Sequence, residues 1–446
     1  MFLQRRINFL NRMEDGDLAL FPSAGLQIRN HDVHYPFRQQ SDFWYLTGHN
    51  EPESLLMLAK GLEGFPSDTL FVLPKDLERE TWEGVRLGPE GAKSKLEFED
   101  SKPIEEMPSR VSLALEKASR LWYRLGGNSG IDTLVMETLA DLQRRVRTGV
   151  TPPQAILDPT TLLHEHRLFK GDDELDCLRR AAAITEEGHR AVMALAKPGG
   201  TEFELEAALH WAFRRNGNGR GGWAYPSIVA SGNNACVLHY TDNDGPLNDG
   251  DVVLVDAGAE YEGYAGDVTR CFPVNGSFSP AQRDVYEVVL AAQEAAIGKV
   301  VAGNPFCDIH NAALSTICEG LTTLGVVKGN PGAIEEEEKY RPWFMHNSSH
   351  WLGLDVHDAG SYHLDGSFRP LEPGMCLTVE PGLYFRADDE SVPRELRGLG
   401  IRIEDDVLVT GQDTPDILSA GVPKTLEAVE QACASTEFIF PGEIPE

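Results

Sequence analysis

A two-domain chain of the α/β (α+β) class is predicted by three observations. Its 446 residues are the length of two ordinary domains. Short apolar runs with strand character alternate with segments of helical spacing. Hydrophobic residues make up 41% and charged residues 25%, a globular rather than a disordered balance. The division is expected between an N-terminal domain of residues 1–172 and a C-terminal domain of residues 173–446.

In the first domain, Asp17-Leu-Ala-Leu-Phe and Thr69-Leu-Phe-Val-Leu read as buried strands. Helical spacing follows from Val111 to Arg124 and from Thr133 to Arg147, and the pair Pro152-Pro153 punctuates the end of the region. The second domain opens with a long helix from about Asp173 to Ala196, stopped by Lys197-Pro-Gly-Gly. Thr201-x-x-Glu204 is a capping box for a helix that runs to Arg215. Two more helices are expected from Pro280 to Val301 and from Pro305 to Leu324. The stretches beginning at Gly199 and Gly303 each open a helix after a glycine, which fits two similar α/β halves with a site between them. Glu335-Glu-Glu-Glu, beside Asn330-Pro-Gly, reads as a solvated loop.

Charge and cysteine content narrow the function. Asp and Glu number 70 against 40 Lys and Arg, a formal net charge of −30. Nucleic acids and anionic membranes select basic patches, so neither is an expected partner. Solubility alone accounts for such a charge, which also attracts cations. The seven cysteines are odd in number, form no C-x-x-C pair and all follow residue 176. They read as reduced residues of a cytosolic protein. The first residues show no apolar core of a secretory leader, and no stretch approaches a membrane span of roughly 18 apolar residues.

The chemistry concentrates after residue 250. Val252-Val-Leu-Val-Asp256 ends an apolar strand in a carboxylate, and Gly266-Asp-Val-Thr-Arg starts another strand. If these strands form a hairpin, Asp256 and Asp267 reach one pocket, where two buried carboxylates require cations. Met345 to His357 holds His346, His350 and His357 among apolar residues and glycine, so one can ligate while others donate or accept protons. Glu380 ends a short strand before Pro381-Gly382. Gly400-Ile-Arg-Ile-Glu alternates, placing Arg402 and Glu404 on one face of a strand. Four carboxylates and one imidazole, Asp256, Asp267, His350, Glu380 and Glu404, suit a pair of hard or borderline divalent ions such as Mn²⁺. Gly217-Asn-Gly-Arg-Gly-Gly lacks the Lys-Ser/Thr of a phosphate loop and reads as a mobile loop beside this site.

These motifs resemble the metal-dependent pita-bread peptidases, and within them the bacterial aminopeptidase P group of Xaa-Pro aminopeptidases. Ser41-Asp-Phe-Trp-Tyr-Leu-Thr-Gly and Asn50-Glu-Pro-Glu resemble the N-terminal domain of that group. Cys236-Val-Leu-His-Tyr-Thr, His346-x-x-x-His-Trp-Leu-Gly-Leu-Asp-Val-His-Asp and Leu371-Glu-Pro-Gly-Met resemble its catalytic domain. The resemblance implies a creatinase/aminopeptidase P-type α/β domain for oligomerisation and substrate access, followed by a pita-bread catalytic domain. It implies that Asp267 and Glu404 bridge two metals, with Asp256 completing one coordination sphere and His350 with Glu380 the other. A metal-bridging hydroxide would attack the scissile carbonyl. Glu380 would carry the proton, and His239 and His357 would hydrogen-bond the carbonyl and its oxyanion. His346, Tyr362 and Arg402 would surround the proline, with Tyr225, Tyr384 and Asp42 lining or supporting the pocket. Arg402 equally suits a structural partner for Glu404 or another carboxylate. The implied reaction is Mn-dependent release of the first residue from peptides with proline second, in a homodimer or homotetramer. An Xaa-Pro dipeptidase (prolidase) shares the same ligands. A non-catalytic pita-bread binding module is the remaining reading, and the intact ligand set argues against it.

Overall fold

The computed structural model describes residues 1–216 and 222–435. It divides into two compact units, residues 1–166 and a second starting at Arg167.

The first unit is a mixed sheet covered by helices. Its elements are α1 (Phe2–Arg12), β1 (Asp17–Pro22), β2 (Ile28–Asn30), β3 (Val33–His34), α2 (Ser41–Thr47), β4 (Leu55–Ala59), β5 (Asp68–Val72), α3 (Leu77–Glu83), α4 (Gly88–Lys95), β6 (Asp100–Pro103), α5 (Met107–Lys117), β7 (Arg120–Trp122), α6 (Ser129–Arg144), β8 (Ala155–Leu157) and most of α7 (Thr160–Leu168), whose last two residues begin the second unit. The six-stranded order is β6-β5-β4-β1-β7-β8. Both apolar runs expected as strands, β1 and β5, lie in it. One expectation is corrected. Residues 120–122, inside the stretch expected to be helical, form β7, because α5 ends in the extended Ala118 and Leu121 then pairs with Leu18. Leu121 is fully buried with Leu18, Met57 and Leu115, so sheet burial overrides the helical spacing.

The second unit contains α8 (Asp172–Leu195), α9 (Glu202–Asn216), β9 (Ile228–Ser231), β10 (Val252–Asp256), β11 (Glu260–Tyr261), β12 (Tyr264–Ala265), β13 (Thr269–Pro273), α10 (Pro280–Ile297), α11 (Cys307–Thr323), α12 (Pro331–Glu336), β14 (His363–Leu364), β15 (Ser367–Phe368), β16 (Cys376–Val379), β17 (Gly382–Phe385), β18 (Leu399–Arg402), β19 (Asp405–Leu408), β20 (Asp416–Ile417) and α13 (Leu426–Cys433). Two three-stranded sheets, β13-β10-β9 and β16-β19-β20, and the ribbon β17-β18 carry the chemistry-bearing residues. The two helix pairs are built alike. A Cβ on Gly188 of α8 would sit 2.5 Å from the Phe213 ring of α9, and one on Gly320 of α11 would sit 2.1 Å from Val288 of α10. Only glycine permits either approach. The Glu335 run departs from the expected loop. Asn330 caps Gly332, Pro331 occupies the first turn, and α12 extends through Glu335 and Glu336 with Ile334 buried. The glycine-rich loop expected beside the site lies, from 217 to 221, outside the described residues.

His49 in the first unit is 2% exposed, and its Nε2 meets Ser54 Oγ at 3.2 Å. Burial pushes its pKa down to about 4. The unfolded chain therefore takes up a proton near pH 6.5 that the folded chain refuses until about pH 4, and stability falls as pH drops through that window. Between pH 7 and pH 5 the first unit should lose about 2 kcal/mol through this residue alone. Urea unfolding of His49→Gln should show that much less pH dependence than wild type.

Candidate metal centre and active site

The strand pairing explains why distant residues meet. β10 is the middle strand of its sheet and ends at Asp256, which lies opposite Thr269 on β13. Asp267 enters two residues earlier, after the small β11-β12 hairpin turns the chain back. The two strands thus form the expected hairpin. The other ligand candidates come from the second sheet. His350 N–H donates to Thr378 Oγ1 at 3.2 Å, and Thr378 N–H returns a bond to the His350 carbonyl at 2.9 Å. Glu380 N–H donates to the Ser348 carbonyl at 2.9 Å. The irregular 348–351 segment is therefore fixed to β16 at both the histidine and the glutamate. Glu404 departs from the expected continuous strand, since β18 ends at Arg402 and β19 begins at Asp405. Its N–H bonds to the Thr269 carbonyl at 3.1 Å, which ties the break to β13.

These elements enclose a cavity of about 320 Å³. Asp256, Asp267, His350, Glu380 and Glu404 all line it, as do His239, His346, His357, Tyr225 and Arg402. Ile228, Leu238 and Val356 give part of the wall an apolar character. Tyr362 and Tyr384 are not among its lining residues. Tyr362 stacks on Trp351 with ring centroids 5.3 Å apart, and its oxygen accepts the Trp351 N–H at 3.1 Å. Tyr384 stands behind the wall between Arg402 and His346. Asp42 belongs to the first unit, on α2, where its carboxylate faces His164 Nε2 at 3.2 Å.

The electrostatics are those of an anionic pocket. Tyr225 OH reaches Asp256 at 2.6 Å and Asp267 at 2.5 Å. Arg402 Nη2 donates to Asp256 at 2.6 Å, its Nη1 to Tyr384 Oη at 2.9 Å and its Nε to Thr269 Oγ1 at 3.0 Å. Of the two readings of Arg402, its contacts supply the carboxylate partner, Asp256, while it also lines the cavity. Burial lifts Glu380 to about 7, with His350 and Arg402 pulling it down and Asp267 pushing it up. Burial likewise raises Asp267, and raises Glu404 well above the ordinary range with help from Asp267 and Glu380. Burial also opposes charge on His350, yet Asp267 at 3.4 Å and Glu380 at 3.6 Å raise it to about 9. His346 goes the other way, down to about 4 through burial and the nearby Arg402. A neutral His346 completes a consistent chain, in which Arg402 donates to Tyr384, Tyr384 to His346 Nε2 at 2.8 Å, and Nδ1–H to the Asn347 carbonyl at 2.7 Å.

The donor set fits a divalent metal. Asp267, His350 and Glu404 can each place one ligand atom within 4.8 Å of the others. His350 Nδ1 faces the Trp351 carbonyl at 3.0 Å, which leaves Nε2 directed at Asp267 and Glu380. A ring nitrogen tied to a carbonyl with the other one free is the usual arrangement of a ligating histidine.

Residues 2–122 match the model of the aminopeptidase P N-terminal domain, and residues 176–411 match that of metallopeptidase family M24. The chain belongs to metallopeptidase family M24. This M24 chain is 42% identical to the Xaa-Pro aminopeptidase of Escherichia coli (strain K12) over 96% of both chains. Its structure matches Pseudomonas aeruginosa aminopeptidase PepP with a TM-score of 0.94, at 40% identity over 97% of each chain. It matches Zn-substituted Escherichia coli aminopeptidase P in complex with product with a TM-score of 0.93, at 41% identity over 97% of each chain. The second unit is accordingly the pita-bread peptidase domain of this M24 enzyme, and the first is the aminopeptidase P-type domain.

Two features of this metallopeptidase escaped the sequence reading. Thr269 Oγ1 donates to Glu404 at 2.6 Å and accepts from Arg402, so it couples the two residues. Its signal was available, since it follows Asp267 by two positions and so shares its strand face. Asp358 is the other. It accepts from Arg167 Nη2 at 2.5 Å and from Lys170 Nζ at 3.0 Å, and it fastens the segment that bears His357. Nothing in the sequence around Arg167 and Lys170 pairs them with a residue so far along the chain.

Calorimetry on metal-stripped protein should show a melting temperature that rises on adding Mn²⁺, corresponding to about 2.7 kcal/mol of stabilisation per site at 100 times the dissociation constant. Glu404→Gln removes one anionic candidate ligand and should abolish most of that rise.

Proposed function

We propose that this chain is a metal-dependent Xaa-Pro aminopeptidase that releases the first residue of peptides with proline in second position. The observation that carries the reading is the convergence of Asp256, Asp267, His350, Glu380 and Glu404 on one cavity, in a chain that is similar to Xaa-Pro aminopeptidases along nearly its whole length. The five residues would hold two divalent ions. Oxygen-rich ligation with a single nitrogen favours Mn²⁺. Bound metals would supply a hydroxide nucleophile at neutral pH and polarise the scissile carbonyl.

The remaining steps fall to the chain's own residues. An Xaa-Pro bond is a tertiary amide with no N–H to recognise, so shape and proton supply must do the work. Glu380 would take a proton from the attacking water and pass it to the proline nitrogen as the bond breaks, a role for a carboxyl whose protonation is finely balanced. His239 and His357 would hold the carbonyl oxygen and the charge that develops on it. Arg402 keeps Asp256 and Tyr384 in place, and His346 would present its ring face to the proline. Tyr225 would hold the two aspartates together, and Tyr362 would support the proline side through Trp351. Asp42 would belong to the substrate-access role of the first unit.

The setting follows the same reading. The seven cysteines carry free thiols, which supports a reducing, cytoplasmic compartment. Among the described residues no helix is long and apolar enough to cross a membrane. The first unit would mediate self-association as a homodimer or homotetramer. Leu77 and Trp82 on α3 are 85% and 84% exposed, which supports a protein contact there.

Timed product analysis tests the function. With Mn²⁺ restored, an Xaa-Pro-Yaa-Zaa tetrapeptide should lose only its first residue, and a proline-free control should remain intact. Cleavage confined to an Xaa-Pro dipeptide would move the assignment to a prolidase. Glu380→Gln should lower kcat by ~10²-fold or more while retaining bound metal.

A further inference from the structure

His239 lines the cavity yet is itself exposed, and it sits in a stretch, 237–245, without helix or strand. Its ring is not held by packing, so its place in the site depends on how the backbone on either side is anchored. That anchoring converges on one side chain. Glu202, in the first turn of α9, is fully buried. Its Oε1 accepts from Ser231 N–H at 2.7 Å and Asn234 Nδ2 at 3.0 Å. Its Oε2 accepts from Gly245 N–H at 2.7 Å and from the Tyr240 hydroxyl at 2.8 Å. The Glu202 N–H donates back to the Gly245 carbonyl at 2.9 Å. One carboxylate thus grips the chain ahead of the stretch at Ser231 and Asn234, its far end at Gly245 and, through Tyr240, the residue next to His239.

A second clamp fixes the far side. Asn243 is 1% exposed and lies in the left-handed region at φ 49°. Its side chain accepts from Val229 N–H and donates to the Ser227 carbonyl, each at 2.9 Å. That ties the stretch to β9, the strand beside the one that ends in Asp256. An ionised carboxylate with four donors is strongly held, and charge-assisted bonds are roughly twice as strong as neutral ones. The arrangement is more than capping needs, since the Thr201 N–H is already served by Glu204 Oε2 at 2.9 Å.

We infer that Glu202 is a positioning residue for His239, acting through Tyr240 and the ends of the 231–245 stretch to aim the imidazole at the reacting carbonyl. The inference rests on the proposed function for its chemistry, but not for its geometry. A misplacement of about 1 Å at a reacting group can cost up to ~10²-fold in rate.

The test is a double-mutant cycle on the full-length, metal-loaded protein with the tripeptide Ala-Pro-Ala. Glu202→Gln and, as the milder change, Tyr240→Phe should lower kcat by ~10-fold to ~10²-fold with metal content unchanged. In a His239→Ala background, neither should lower kcat further. Equal losses in both backgrounds, or no loss in either, would overturn the inference. A second readout needs no turnover. With a diamagnetic ion such as Zn²⁺ in place of Mn²⁺, the His239 imidazole NMR signal, assigned by its absence in His239→Ala, should be single in wild type and broadened or multiplied in Tyr240→Phe. An unchanged signal counts against the clamp. A wild-type protein inert toward Ala-Pro-Ala would count against the proposed function alone, leaving the NMR comparison to decide the clamp.

Discussion

Mutual repulsion among buried and half-buried carboxylates is the constraint around which the second unit is built. Asp256, Asp267, Glu380 and Glu404 face one cavity, and the charges that oppose them there are Arg402 and the imidazole of His350. Isolated burial of such groups costs several kcal/mol each, so an apolar core alone would not hold them. The chain meets this with strand ends rather than strand centres. Asp256 closes β10, Glu380 follows β16 and Glu404 fills the break between β18 and β19. Each carboxylate then projects past the sheet, while the apolar residues behind it, such as Leu254 and Leu377, remain in the core. Divalent metal binding, as the M24 family implies, would supply the positive charge that balances these carboxylates.

The sheets must not shift while those charges are present, and a buried ionic hub behind Glu404 provides the restraint. Arg270 and Asp405 are both fully buried and paired at 2.7 Å. Burial acts to raise the Asp405 pKa, but Arg270 and Lys424 hold it down at about 2. Arg270 also donates to the carbonyls of Thr269 at 3.0 Å and Glu404 at 2.5 Å, one on each side of the seam between the sheets. A buried pair of this kind gives little net stability compared with an apolar replacement, but removing one partner is costly. Its value here is registry, because it fixes the backbone of Thr269 and of Glu404, and Glu404 reaches into the cavity while Thr269 supports it from behind.

Much of this was legible because the relevant signals are local. The apolar run ending in Asp256, the three histidines of 346–357 and the glycine and proline punctuation near Glu380 each report their own element, and all converge as expected. The helices of the second unit lie within a few residues of where caps and prolines placed them, α8 at Asp172–Leu195 and α10 at Pro280–Ile297. What escaped depends on partners far away in sequence. Arg120–Trp122 becomes a strand because β1 offers a pairing edge, and no helical-spacing argument sees that edge. The resemblance put Tyr362 around the proline and left Tyr384 either lining or supporting the pocket; Tyr362 stacks on Trp351, and Tyr384 links Arg402 to His346. A motif identifies which residues are near a site, whereas the choice between lining and support is made by packing.

The buried carboxylates of this unit fall into two kinds, and the number of donors separates them. Glu202 accepts from Ser231, Asn234, Gly245 and Tyr240, and Asp405 accepts from Arg270, Lys424, Gln293 and Ser419. Such groups have their lone pairs filled, and they serve as anchors for irregular backbone. Among the described residues the Glu404 carboxylate accepts from Thr269 Oγ1 alone, and Asp267 receives one hydroxyl, from Tyr225, and the nearby His350. A buried carboxylate in want of donors is costly unless something else supplies positive charge. The open lone pairs therefore mark where cations belong, and the saturated ones mark what keeps the surrounding loops still. His239 and His357 lie between the two kinds, each exposed on a loop that a buried carboxylate, Glu202 or Asp358, fastens from behind. The cavity can then stay open to a peptide while its polar groups hold their positions, because the rigidity comes from the buried side of each loop rather than from contacts across the opening.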